Sequence, residues 1–206
     1  MDPANDKQEA ILKTALRLFT ERGFFGTPTS LISKEAGVAT GTLFFYFKTK
    51  EDLIDTLYLR VKAEAAGAMC RGLETEPDAK AKLYRLGRNG VAWATEHPDK
   101  MKFMEQFAHS QFVSTTAQEE GMSRFLFLHD LIMDGIREGS VRDYDPELLI
   151  FMMASSLSGL AARVAAAGSP AEREAAIEQG MAFIWNGLKA EPLMEPEHKR
   201  SRKGKK

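Results

Sequence analysis

The sequence predicts an all-α protein of about nine helices, and three observations predict it. Apolar residues recur three and four positions apart through most of the 206-residue chain. Capping signals punctuate that pattern at helical lengths: Asp78, His97-Pro98, Thr115-Thr116 with Glu119, Asp145-Pro146, and Ser169-Pro170 with Glu172. The alternation of a half-buried strand is missing from the sequence.

Residues 1 to 6 are expected to fray, and Asp6 is read as the cap of a first helix whose apolar face is Ile11, Leu12, Ala15, Leu16 and Phe19 and which stops at Gly23. Thr27 then reads as an N-cap with Pro28 behind it, where a missing N–H costs nothing, and Leu31, Ile32 and Ala36 recur at helical spacing. This short helix closes at Gly37, a residue free to take the left-handed conformation. Thr40 reads as the next cap, with Leu43, Phe44 and Phe47 as apolar positions, and two helices linked this tightly form a helix-turn-helix. Thr49, with Asp52 in capping-box register, opens a long helix from Lys50 whose apolar face runs from Leu53 to Leu73. At ~1.5 Å per residue that rod exceeds ~30 Å. Five further helices are expected near 78–96, 99–112, 117–138, 146–167 and 170–190. The resulting organisation is a head at 1–49, a helical body at 50–190 with 50–73 as connecting helix, and a basic tail at 191–206 without periodicity, expected to be disordered. The tail's positive charges read either as a solubilising terminus or as a nonspecific contact to DNA phosphate.

In a helix-turn-helix the second helix brings a polar N-terminal edge into the DNA major groove while the first braces it. Thr40, Gly41 and Thr42 are small enough for that approach. From Thr40 to Lys50 the chain carries Lys48, Lys50 and the Tyr46 hydroxyl and no acidic residue, which suits a surface laid on phosphates.

Residues 8–54 resemble the N-terminal DNA-binding domain of the TetR family of bacterial transcriptional regulators. The likeness rests on Phe19, Gly23, Phe24, Thr27, Ile32, Ala36, Gly37, Val38, Gly41, Thr42, Leu43, Tyr46, Phe47, Lys50, Glu51 and Leu53, all in register. The resemblance implies phosphate contacts at Thr27, Tyr46 and Lys50 and recognition-helix contacts at Thr40, Gly41 and Thr42. Phe44 and Phe45 stand where many members carry tyrosine, so at Phe45 a DNA-facing position lacks the hydroxyl.

The resemblance also implies a ligand cavity within the middle helices and a homodimer. Large adaptable side chains crowd those helices, and most must simply be core. Trp93, Phe103, Met104, Phe107, Phe125 and His129 are the expected cavity lining, whose aromatic character favours a lipophilic or aromatic effector over a sugar or an ion. The last two helices carry small residues that permit close helix approach, either within the chain or between two copies. Ser155, Gly159, Ala162, Gly180, Ile184 and Trp185 are the expected dimer positions. Trp185-Asn186-Gly187-Leu188 resembles the common ending of the family's interface helix. The expected function is a ligand-responsive regulator, most simply a repressor, that binds a palindromic operator of double-stranded DNA as a homodimer and is released by a small-molecule effector.

Other classes fare worse. No run of about 18 apolar residues is found, and the N-terminus is acidic, so neither a transmembrane helix nor a signal peptide is expected. A single cysteine, Cys70, excludes an internal disulfide and fits the cytoplasm. The histidines are scattered. Glu105 and His109 share a helix face, and His129-Asp130 is the other pair, but no metal set, nucleophile elbow or glycine-rich phosphate loop is formed. Neither enzyme, metal nor cofactor is expected. The alternative is a helical regulator or scaffold that binds another protein, distinguishable by failure to bind DNA at low salt.

Overall fold

The computed structural model describes residues 3–190, with side chains from Asp6 onward, and realises the apolar periodicity as ten α-helices and one turn of 3-10 helix. The helices are α1 (Pro3–Arg22), α2 (Thr29–Glu35), α3 (Thr40–Tyr46), α4 (Lys50–Cys70), α5 (Ala79–Glu96), α6 (Pro98–Phe107), α7 (Thr115–Ser123), α8 (Leu126–Arg137), α9 (Pro146–Ala165) and α10 (Pro170–Leu188). Among the described residues the only β pairing is an isolated bridge between Val141 and Lys189. The expectation of disorder at 191–206, and the readings of its basic charge, fall outside the described residues.

The caps predicted at Thr49, Asp78, Asp145 and Ser169 hold. Thr49 accepts from the Asp52 N–H at 3.0 Å while the Asp52 carboxylate accepts from the Thr49 N–H at 3.2 Å, a complete capping box at the start of α4. Asp78, Asp145 and Ser169 likewise accept from the first turns of α5, α9 and α10. Several boundaries differ from the sequence reading. Asp6 lies in the first turn of α1, which begins at Pro3. The cap of α7 is Ser114, whose hydroxyl accepts from the Ala117 N–H at 3.1 Å, in place of Thr115 or Thr116. The connecting helix stops at Cys70, and Gly72, with φ of 74°, turns the chain into the 3-10 segment Leu73–Thr75. α6 ends at Phe107 because Ser110 bonds back to the Phe107 carbonyl at 2.9 Å and then receives the Phe112 N–H at 3.3 Å.

The tenth helix arises because 117–138 is two helices broken at Arg124 and Phe125. One straight rod could not serve both faces. α7 packs on α4, where Gly121 allows such closeness that a Cβ there would sit 2.5 Å from Tyr58 Cε1, whereas α8 packs on α5 and α9.

Two buried clusters result. The first joins α1–α3 to α4 from Leu53 to Ala68 and continues through Trp93, Phe103, Phe107, Val113 and Ala117. The second fills the space among α5, α8, α9 and α10 with Leu86, Ile132, Met153, Leu157, Leu160, Met181 and Ile184. α4 spans about 31 Å at ~1.5 Å per residue and is clasped from three sides: Arg60 pairs with Glu9 of α1, Glu64 with Lys100 of α6, and Asp55 accepts the Ser114 N–H at 2.9 Å.

α9 is a core helix that also meets the length and composition of a membrane span. It is long and apolar enough to cross a membrane by those measures alone, with mean hydropathy 1.7 over a window that is 33% buried. Its inner face is core, and its outer face leaves Phe151 at 67% and Met152 at 55% exposure.

Candidate nucleic-acid interface and internal cavity

The helix-turn-helix is built by short-range hydrogen bonds. Ala36 N–H donates to the Ile32 carbonyl at 2.8 Å, Gly37 takes φ of 70°, and Val38 N–H donates to the Ser33 carbonyl at 3.0 Å, which reverses the chain into α3. A β-carbon would be strained at Gly37. Ala39 is the N-terminal boundary residue of α3, so Thr40 is its first helical residue rather than its cap. The Thr40 hydroxyl lies 3.1 Å from that of Ser33, itself buried. Ser33 thereby orients Thr40, a role that only its spacing of seven residues could have suggested.

The outward edge of α3 consists of Thr40 and Gly41, both exposed, with Thr42 half-buried and Lys48 exposed just beyond the helix. Nothing lies within 4 Å of a Cβ placed at Gly41, so this edge is open to a partner. Phe45 stands 73% exposed with its ring edge-on to Tyr46 at 5.2 Å, while Leu43 and Phe47 anchor the helix in the core. Arg17 bonds Glu35 and Glu21, tying α1 to α2 at the surface, and holds the Glu35 carboxyl below the usual range.

Two of the sequence-predicted phosphate positions turn inward. Thr27 has no exposed surface, and its hydroxyl donates to the carbonyls of Leu18 at 3.0 Å and Gly23 at 2.8 Å. It is neither the cap of α2, whose boundary residue is Pro28, nor a residue DNA can touch. It is a lock between α1 and the turn. Lys50 donates to the Phe24 carbonyl and lies 3.9 Å from the centroid of the Phe24 ring. Burial pulls its pKa below the usual lysine range. Lys50 thus fastens α4 to the end of α1, leaving Lys48 as the presented lysine of this segment.

Between the two clusters lies a cavity of about 690 Å³. Its walls come from α4 through Val61, Lys62, Ala65 and Met69, from α5 and α6 through Trp93, Met101 and Met104, and from the α7–α8 break and α9 through Met122, Phe125, Leu128, His129, Ile150 and Leu157. Exposed Glu119, Ser123, Leu126 and Glu147 mark its mouth. Trp93, Met104, Phe125 and His129 therefore border the same cavity. Phe103 and Phe107 do not. They face the first cluster, where Phe107 lies 6.0 Å from the Phe19 ring and 5.1 Å from Phe103, because α6 packs against α1. Sequence reasoning missed Lys62, Met69 and Met101, which look like connecting-helix and core positions. No group of three or more histidine, cysteine or acidic side chains that could hold a metal occurs among the described residues.

The small-residue faces of α9 and α10 also divide. Ser155, Gly159 and Ala162 are exposed, in line with Leu148, Phe151 and Met152 at spacings of three and four, and a Cβ at Gly159 meets nothing within 4 Å. On α10 the expected positions are rotated inward. A Cβ at Gly180 would sit 2.5 Å from Leu160 Cδ1, Ile184 is core, and Trp185 packs on the second cluster with Lys80 over its ring at 5.8 Å. Phe183, 74% exposed, and Gly187 occupy the outward face instead.

Comparison with known proteins accords with this architecture. Residues 11–57 match the family described as bacterial regulatory proteins of the tetR family. The crystal structure of a tetR family transcription regulator from Shewanella sp. PV-4 superposes with a TM-score of 0.82 at 31% identity, over 90% of this chain and 99% of that one. The HTH-type transcriptional repressor KstR2 of Mycolicibacterium smegmatis is 25% identical over 195 residues, 90% of this chain and 92% of its own. The transcriptional regulator FadR from Bacillus subtilis, solved in complex with stearoyl-CoA, shares the fold at a TM-score of 0.73 and 20% identity, over 87% of this chain and 98% of that one.

Proposed function

This chain belongs to the TetR family of bacterial transcriptional regulators, and from that membership we propose that it is a repressor which binds a palindromic operator as a homodimer and leaves it when a lipophilic effector fills the cavity. The observation that carries the reading is α4. Its first turn, through Lys50, is fastened to the head, and its Val61–Met69 stretch forms a wall of the cavity, so one rigid rod senses both sites.

Thr40, Gly41 and Thr42 would face base edges, and Lys48, Tyr46 and the Phe45 position would lie on the backbone. Two copies would meet through the outward faces of α9 and α10, burying Phe151, Met152, Gly159 and Phe183, an exposed apolar surface that a monomer does not need. A two-fold axis there sets the half-sites roughly 34 Å, or a multiple, apart. Repression is favoured by the name of the KstR2 relative, and a lipophilic effector by the cavity walls and by FadR's stearoyl-CoA.

An effector shifts the head spacing only by its differential affinity for two arrangements of α4. The expected coupling is roughly 1–3 kcal/mol, equal in both directions. Footprinting on the chain's own promoter region, followed by titration of a cavity-binding compound into the protein–operator complex, tests the reading. Failure to protect any palindromic segment there or elsewhere in the genome would count against it.

A further inference from the structure

Among the described residues Lys62 is a cation without a paired anion. It projects from the cavity wall of α4, half-buried, with Nζ 4.9 Å from the Phe125 ring centroid, 5.7 Å from that of Tyr58 and 3.5 Å from Met122 Sδ. Its neighbour Arg60 pairs with Glu9 and Glu64, and Lys100 pairs with Glu64. Lys62 enters no ion pair among the described residues, and burial pulls its pKa below the usual lysine range with no charged group opposing that pull. Ring faces and a thioether return less to an ammonium than its desolvation removes. The fold therefore holds an uncompensated positive charge against an apolar space of about 690 Å³, a size that encloses a small ligand.

We propose that the effector is an amphiphilic monoanion, a lipophilic chain or ring system ending in one carboxylate, and that this carboxylate pairs with Lys62 Nζ. The proposal rests on the effector-cavity reading and adds the ligand's charge. The other titratable groups on the walls argue for a single negative charge. Glu119 and Glu147 stand at the mouth and His129 lines the wall, so a polyanionic headgroup would meet one lysine against two glutamates. An amine would be repelled by Lys62 itself.

The test is isothermal titration of the full-length protein with dodecanoate, methyl dodecanoate, dodecyltrimethylammonium and dodecanoyl-CoA, each below its micelle concentration. Dodecanoate is expected to bind about 10- to 100-fold more tightly than the methyl ester, the value of one charge-assisted contact. Lys62→Met should close that gap while keeping ester affinity, and Lys62→Arg should reopen it. Lys62→Met trades a desolvated charge for a thioether of similar length, so it should melt no lower than the parent. Equal or tighter binding of the ester or the ammonium, tighter binding of dodecanoyl-CoA than of dodecanoate, or a gap that survives Lys62→Met would overturn the proposal while leaving the cavity reading intact. Binding of none of the four would overturn both.

Discussion

Phe107→Ala distinguishes the packing of α6 against the head from a place in the cavity wall. Phe107 is 3% exposed and its ring lies among three others, 6.0 Å from Phe19, 5.1 Å from Phe103 and 6.4 Å from Phe112. Truncating such a side chain costs about 3–5 kcal/mol, from lost burial and from the void left behind. For a chain of this size each kcal/mol moves the melting point by ~2–4 °C, so a fall of about 6–20 °C is expected. Met104→Ala supplies the control. Met104 is half-buried at the edge of a pre-existing cavity, so its removal adds little new void and should cost about 1 kcal/mol or less. Thermal unfolding by circular dichroism at one fixed protein concentration measures both, because melting of a dimer depends on concentration. If Phe107→Ala melts within ~3 °C of the parent and loses effector affinity, the side chain belongs to the cavity and its assignment to the head packing fails.

The remaining predictions concern the dimer and the DNA contacts. Gly159→Trp, placed in open space on the outward face of α9, should shift sedimentation at micromolar concentration towards monomer without lowering protomer stability. Gly180→Ala should do the opposite, costing roughly 1–3 kcal/mol through its clash with Leu160 while leaving association unchanged. Thr42→Ala should lower preference for operator over random DNA, whereas Lys48→Ala should weaken both alike and reduce the salt dependence of binding by about one charge. Equal loss on both DNAs for Thr42→Ala would remove it from base readout.

Where a feature is decided by neighbours in the chain, it was legible in the sequence. The capping box of Thr49 and Asp52, the glycine turn at Gly37 and the starts of α9 and α10 depend on contacts within a few residues, and each lies where its pattern put it. Features decided by tertiary packing were not. Phe103 and Trp93 look alike as aromatic residues in an apolar stripe, yet both reach the first cluster and only Trp93 also borders the cavity, because α6 turns its phenylalanines towards α1. The break at Phe125 carries neither glycine nor proline and results from the different partners of α7 and α8. Gly180 and Phe183 differ by three residues on one helix, and their facing is fixed by Leu160 rather than by their own chemistry. Thr27 and Lys50 show a subtler limit. Their residue types suit phosphate contact, and the same hydrogen-bonding capacity is used to hold the end of α1 to the adjoining turn and to α4.

The division of the interior into two clusters has a consequence for local opening. Side chains of α4 near the head, such as Leu53 and Tyr58, belong to the first cluster, while half-buried Met69 near its far end packs on the second, so no loop separates the two. Amide exchange should therefore report two cooperative units whose border crosses the last turn of a continuous helix, between Ala68 and Met69, instead of falling at residue 49 or 50. The amides of α6 and α7 should then open with those of α1–α3 although they are distant in sequence, while α8, α9 and α10 form the other unit. A molecule lodged at that border would slow exchange on both sides at once, because either unit can open only by giving up its share of the bound surface.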